Sequence, residues 1–156
     1  MATFLLVLIV IATALDGLLA GASLDQSIKQ LPARHRIGLV AFSTYSRAAD
    51  LGNGILWYAF LGVGAALFTV VAAVIALLVN LPLAETLPVL IAAILSVLHS
   101  LVTTQAAPTN FSQRKVADDE KALTAVFNRF EKWQTLRVTL QVITFLTMIW
   151  AIFVVH

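Results

Sequence analysis

Long uncharged stretches of this chain are separated by short segments that hold almost all of its charge. Four of the uncharged stretches reach the length a helix needs to cross a bilayer, roughly 20 residues at 1.5 Å each. The first covers Ala2 to Ala22 with Asp16 as its only charge. Ala20-Gly21-Ala22 resembles a signal-peptidase site, but the start lacks the positively charged region of a secretory leader, so the segment is read as a retained span. The second falls in the uncharged run between Asp50 and Glu85, with helix predicted over Gly54 to Leu78 and a turn at Asn80-Leu81-Pro82-Leu83. The third runs from Leu87 to Ala106, where Pro108 disfavours helix at Ala107 and marks the end. The fourth, Val138 to Val155, is about 27 Å long at helical rise. The pattern predicts an all-α fold: one domain over residues 1–156, an integral membrane four-helix bundle with amphipathic helical extensions on one side.

Those extensions come from the two longer connections. Asp118, Asp119 and Glu120 sit where a helix N-terminus favours negative charge, and Leu123, Val126, Phe127, Phe130 and Trp133 follow at helical spacing. An amphipathic helix is therefore expected to run into span four, with Arg129 and Lys132 on its polar face and the membrane surface as its resting place. Between spans one and two, Asp25 and Lys29 form an i,i+4 pair that extends the first helix until Pro32 interrupts it. A second surface helix is expected over Leu39 to Asp50.

Composition agrees with this reading. Sixty per cent of the residues are apolar and 12% are charged, and the mean hydropathy is +0.95, more than a water-soluble fold could hide. The absence of cysteine excludes disulfides, thiolate nucleophiles and Cys-ligated metal sites. His35, His99 and His156 stand at no ligand spacing, so no metal site is expected. All ten Lys and Arg residues fall in the connections between spans one and two or between spans three and four. These two connections share a side, and the positive-inside rule makes it the cytoplasm, with both termini outside a cell membrane crossed several times. The excess of positive charge thus reflects topology, and nucleic acid is not expected as a partner; membrane lipid is.

Polar residues within the spans are the candidates for function, because a charge at mid-membrane costs about 2.5 to 3.5 kcal/mol on insertion scales. Counted by depth, Asp16, Asn53, Trp57, His99, Trp133 and Arg137 fall into one cytoplasm-side layer with Ser96, Ser100, Thr103 and Gln141. Each has two readings. Asp16 is either an ion-pair partner of Arg137 or Lys29, or part of a ligand site. Asn53 is a cap that starts span two or a ligand contact, and His99 bonds a neighbouring carbonyl or hydroxyl or serves a ligand. Trp133 is an interfacial anchor or a stacking surface. Gly17 and Gly21 suit close helix packing.

Four spans, the segment Tyr45-Ser46-Arg47-Ala48-Ala49-Asp50-Leu51-Gly52-Asn53-Gly54, the turn Pro108-x-Asn110 and Trp133-x-x-x-Arg137 together resemble the anthrone oxygenase-like family of four-span membrane proteins, long catalogued as a domain of unknown function. The resemblance implies oxidation of polycyclic anthrones by molecular oxygen without metal or flavin. Such chemistry needs a base, an anion holder and dry apolar walls. His99 would be the base, Arg137 the anion holder and Asp16 the group that orients the imidazole, while Asn53, Trp57, Asn110 and Trp133 would contact the ligand.

Two functions of different class follow. One is an oxidoreductase acting on a hydrophobic aromatic or quinol-like molecule that enters from lipid. The other is a non-catalytic membrane protein that binds a lipid or hydrophobic ligand, or serves as a subunit of a larger complex. Transport by a homo-oligomer is a third option, since four spans without an inverted repeat would need oligomerisation.

Overall fold

Residues 2–155 are described by a computed structural model. Four helices are long and apolar enough to cross a membrane, as the hydropathy pattern predicts. Helix α1 spans Ala2–Asp25, α2 Leu31–Ile37, α3 Leu39–Ala48, α4 Gly54–Leu78, α5 Leu83–Phe111 and α6 Glu120–Val154. Spans one to four lie in α1, α4, α5 and α6. Around the bundle α1 packs on α4 and α6, and α5 packs on the same two, which places α1 and α5 diagonally.

The spans are longer than predicted, and two prolines do not stop them. A π-turn at Gln26–Gln30, in which the Leu31 amide bonds the Gln26 carbonyl, precedes Pro32. The widened turn accommodates the missing donor and the ring of Pro32, so the helical path continues to Ile37 instead of breaking. It ends at Gly38, whose φ of 86° is open to glycine at little cost. The Asp25–Lys29 pair forms on the way. Helix α5 likewise starts four residues before Leu87 and passes through Pro108 to Phe111. Ala106 and Asn110 on either side of Pro108 are buried, and Gln113 donates to Asn110 Oδ1 at 2.7 Å. Tertiary contact here overrides a local preference.

The half of the bundle nearer the α4–α5 turn is packed tightly. Leu5 and Ile9 of α1 meet Ala72 and Ala76 of α4, Val89 and Ala92 of α5, and Met148 and Ala151 of α6. Small residues let these backbones approach, which is what drives helix association where lipid removes the hydrophobic gain. Gly17 fits this scheme, since a Cβ there would meet the Phe145 ring at 2.8 Å, but Gly21 has no neighbour within 4 Å and packs against nothing. Outward-facing Leu56, Phe60, Leu78, Ile94, Leu146 and Phe153 are exposed and suit a lipid environment.

The helical extensions, at the opposite end from the α4–α5 turn, form a second core. Asp119 caps α6, accepting from the Ala122 amide at 3.0 Å. From there α6 is one helix of 35 residues. It cannot lie on the membrane surface as expected, because it continues without a break into span four. Its apolar face, Leu123, Phe127 and Phe130, is buried against Leu31, Phe42 and Ala106, and the Phe42 and Phe127 rings meet edge-on at 5.0 Å between centroids. Helix α3 is formed as predicted, but it too has a buried face, Phe42, Ser43 and Ser46. Arg34 is buried and donates to Glu131 at 2.8 Å, tying α2 to α6.

Candidate functional site

Away from the turn that joins them, α4 and α5 part, leaving a cavity of about 640 Å³ between them. Its α4 wall is the stripe Ala59, Gly62, Val63, Ala66, Leu67 and Val70. Spacings of three and four keep these residues on one helix face, and their small or aliphatic side chains leave room. Val63 and Leu67 are also exposed at the bundle surface, so the cavity opens sideways where lipid would lie. The α5 wall carries His99, Ser100, Thr103 and Asn110; Arg137 reaches in from α6, Leu19 from α1 and Gln26 from the π-turn that follows it.

Three polar atoms at this cavity have no partner. His99, 5% exposed, has its Nε2 buried without a hydrogen bond, and the same is true of Arg137 Nε and Gln26 Oε1. The nearby hydroxyls do not serve the imidazole. Ser100 donates to the Ser96 carbonyl and Thr103 to the His99 backbone carbonyl. Among the described residues the ion pairs are Lys29–Asp25 and Arg34–Glu131, so Arg137 has no carboxylate at ion-pair distance. Unpartnered buried nitrogens are costly unless something else meets them.

The end of the cavity nearer the extensions is roofed by the connection before span two. Ser43 donates to Gln113 Oε1 at 3.1 Å, Gln113 Nε2 donates to Ser46 at 3.2 Å, and Ser46 donates to Asp50 at 2.9 Å. Arg114 donates to the Leu51 carbonyl at 2.7 Å. This network joins α3 to the end of α5 and holds Asp50 and Leu51 over the cavity. Burial raises the Asp50 carboxyl above its usual range, an effect the Ser46 hydrogen bond partly offsets.

The expected layer is thus divided. His99, Arg137 and Asn110 line the cavity. Asp16 does not: it is fully buried between α1, α4 and α6, where Thr69 donates to its carboxylate at 2.9 Å and Gln141 at 2.8 Å. It neither pairs with Arg137 or Lys29 nor lines the cavity with His99. Asn53 is exposed, has helical φ and ψ, and makes no capping bond. Trp57, 51% exposed, does not line the cavity, and Trp133 packs against the core of the extensions. Depth along a span does not say which helix face a residue occupies. Tyr58, one position from Trp57 and so about 100° round the helix, lines the cavity together with Asp50 and Gln26. The small-residue stripe from Ala59 to Ala66 was the signal that would have found this face. His156 lies outside the described residues. No protein family, curated protein or solved structure matches the chain.

Proposed function

We propose that this chain is a multi-pass protein of the cell membrane, with both termini external, that binds a hydrophobic aromatic or quinol-like molecule bearing a weakly acidic group in the cavity between α4 and α5, and oxidises it with molecular oxygen. One observation carries the binding: His99 Nε2 and Arg137 Nε are both buried without partners at a single apolar-walled cavity. A free imidazole nitrogen can accept a proton from the ligand, and an unpaired guanidinium can hold the anion that results. The resemblance to the anthrone oxygenase-like family supports the oxidation. For an anthrone, the methylene would become a carbonyl with one oxygen atom of O2, the other leaving as water.

The position of Asp16 favours a second reading, binding without catalysis. The imidazole lacks the carboxylate that would orient it and raise its basicity. Oxygen uptake by the purified protein with anthrone separates the two. Under the catalytic reading uptake is saturable, and His99→Ala abolishes it while thermal stability stays within a few degrees. Saturable anthrone binding without oxygen uptake would leave the binding reading alone standing, and absence of both would end the proposal.

A further inference from the structure

The cavity is polar at one end and apolar at the other. Counted along the antiparallel spans from the outer turn, His99 stands level with Gly62, each 16 residues from its helix end at Leu83 or Leu78. The polar lining groups Tyr58, Asp50, Gln26, Thr103 and Asn110 lie at the cytoplasmic side of that level. From Gly62 outward to Val70, about 12 Å along the helix, the α4 lining is Val63, Ala66, Leu67 and Val70. A compact ring held at His99 and Arg137 would touch none of this apolar stretch, whereas an alkyl chain attached to the ring would lie along it.

Gly62 gives independent support. It sits inside a helix, where glycine is destabilising relative to alanine. A Cβ there would meet nothing within 4 Å, so no neighbouring helix requires its absence. What a side chain at this position would fill is the cavity itself.

We infer that the ligand is a single-tailed amphiphile: a ring with an acidic hydroxyl seated between His99 and Arg137, and a linear alkyl or prenyl tail lying along α4 over Gly62 toward Val70. The inference rests on the reading of the head site given above and adds the tail and its direction. A tailed ligand enters sideways from lipid past Val63 and Leu67, its tail remaining in an apolar medium throughout.

The test uses two probes kept anaerobic so that neither oxidises, with the full chain in nanodiscs. One is decylhydroquinone carrying a diazirine at the end of its chain; the other is methylhydroquinone, the same head without the tail. After illumination, mass spectrometry should place the adduct on residues 66–70 of α4, and excess methylhydroquinone should compete it away. Gly62→Leu should lower the labelling about tenfold without loss of thermal stability. Gly21→Leu, the same exchange at an open glycine that does not line the cavity, should leave it unchanged. Adducts that are competed by methylhydroquinone but scattered over lipid-facing residues such as Leu78 and Phe153 would overturn the tail and leave the head site intact. Adducts that methylhydroquinone cannot compete would overturn both.

Discussion

Gln141 binds Asp16 at two points, donating from Nε2 to the carboxylate at 2.8 Å and to the backbone carbonyl of the same residue at 3.2 Å. With Thr69 on the other oxygen, the acid ties span one to spans two and four. It is a structural joint of the bundle, separate from the cavity.

A double-mutant cycle should show this. Interhelical hydrogen bonds in membranes are worth about 0.6 kcal/mol on average and up to about 1.7. A buried carboxyl with two donors belongs at the upper end, so Asp16→Ala and Gln141→Leu should couple by about 1 to 2 kcal/mol. The cycle of Asp16→Ala with Arg137→Gln should be additive within about 0.5 kcal/mol. Strong coupling in the second cycle would mean that Asp16 and Arg137 meet after all.

The two glycines of span one should behave oppositely. Gly17→Ala pushes a methyl group against the Phe145 ring, and the ring must swing aside at a cost of about 1 kcal/mol. Gly21→Ala meets nothing and should be neutral or stabilising by up to about 1 kcal/mol through helix propensity. Thermal unfolding in detergent measures both, and equal effects would contradict the packing described.

Topology can be read with reporter fusions. Those placed after Asn80 and at the C-terminus should report an external location, and one near Lys115 a cytoplasmic one, because the basic residues all lie in the two connections on the Lys115 side. A cytoplasmic C-terminus would reverse the proposed orientation.

The fold was legible in the sequence because bilayer length and charge exclusion are global constraints that four runs, uncharged but for Asp16, satisfy in one way. The ends of the helices were less so. Pro32 and Pro108 carry a local preference for breaking helix, and a π-turn in one case and buried neighbours in the other override it. At the site, composition pointed to His99 and Arg137 since an intramembrane ionisable group is rarely idle. It could not separate Asp16 from them, because residues at one depth on different helix faces look alike until the helices are assembled. The pair Trp57 and Tyr58 shows the same limit within a single turn.

Arg137 offers the sharpest contrast between the two accounts of this bundle. Were it paired with Asp16, removing it would strand a buried carboxylate and cost about 3 to 5 kcal/mol. It is instead a partly buried cation with an unpartnered Nε and no carboxylate at ion-pair distance. Arg137→Gln keeps much of the stem while removing the charge, so it should raise the stability of the ligand-free protein by about 1 to 3 kcal/mol. The same change should abolish stabilisation by ligand. A ligand at a hundred times its Kd stabilises the wild-type protein by about 2.7 kcal/mol, and a variant without the anion holder should show almost none of that. Thermal unfolding with and without decylhydroquinone gives both quantities in one experiment. The variant is thus expected to be more stable than wild type when empty and to gain less when ligand is added. Should Arg137→Gln unfold the empty protein more readily, the guanidinium has a structural partner and the cavity loses its anion holder.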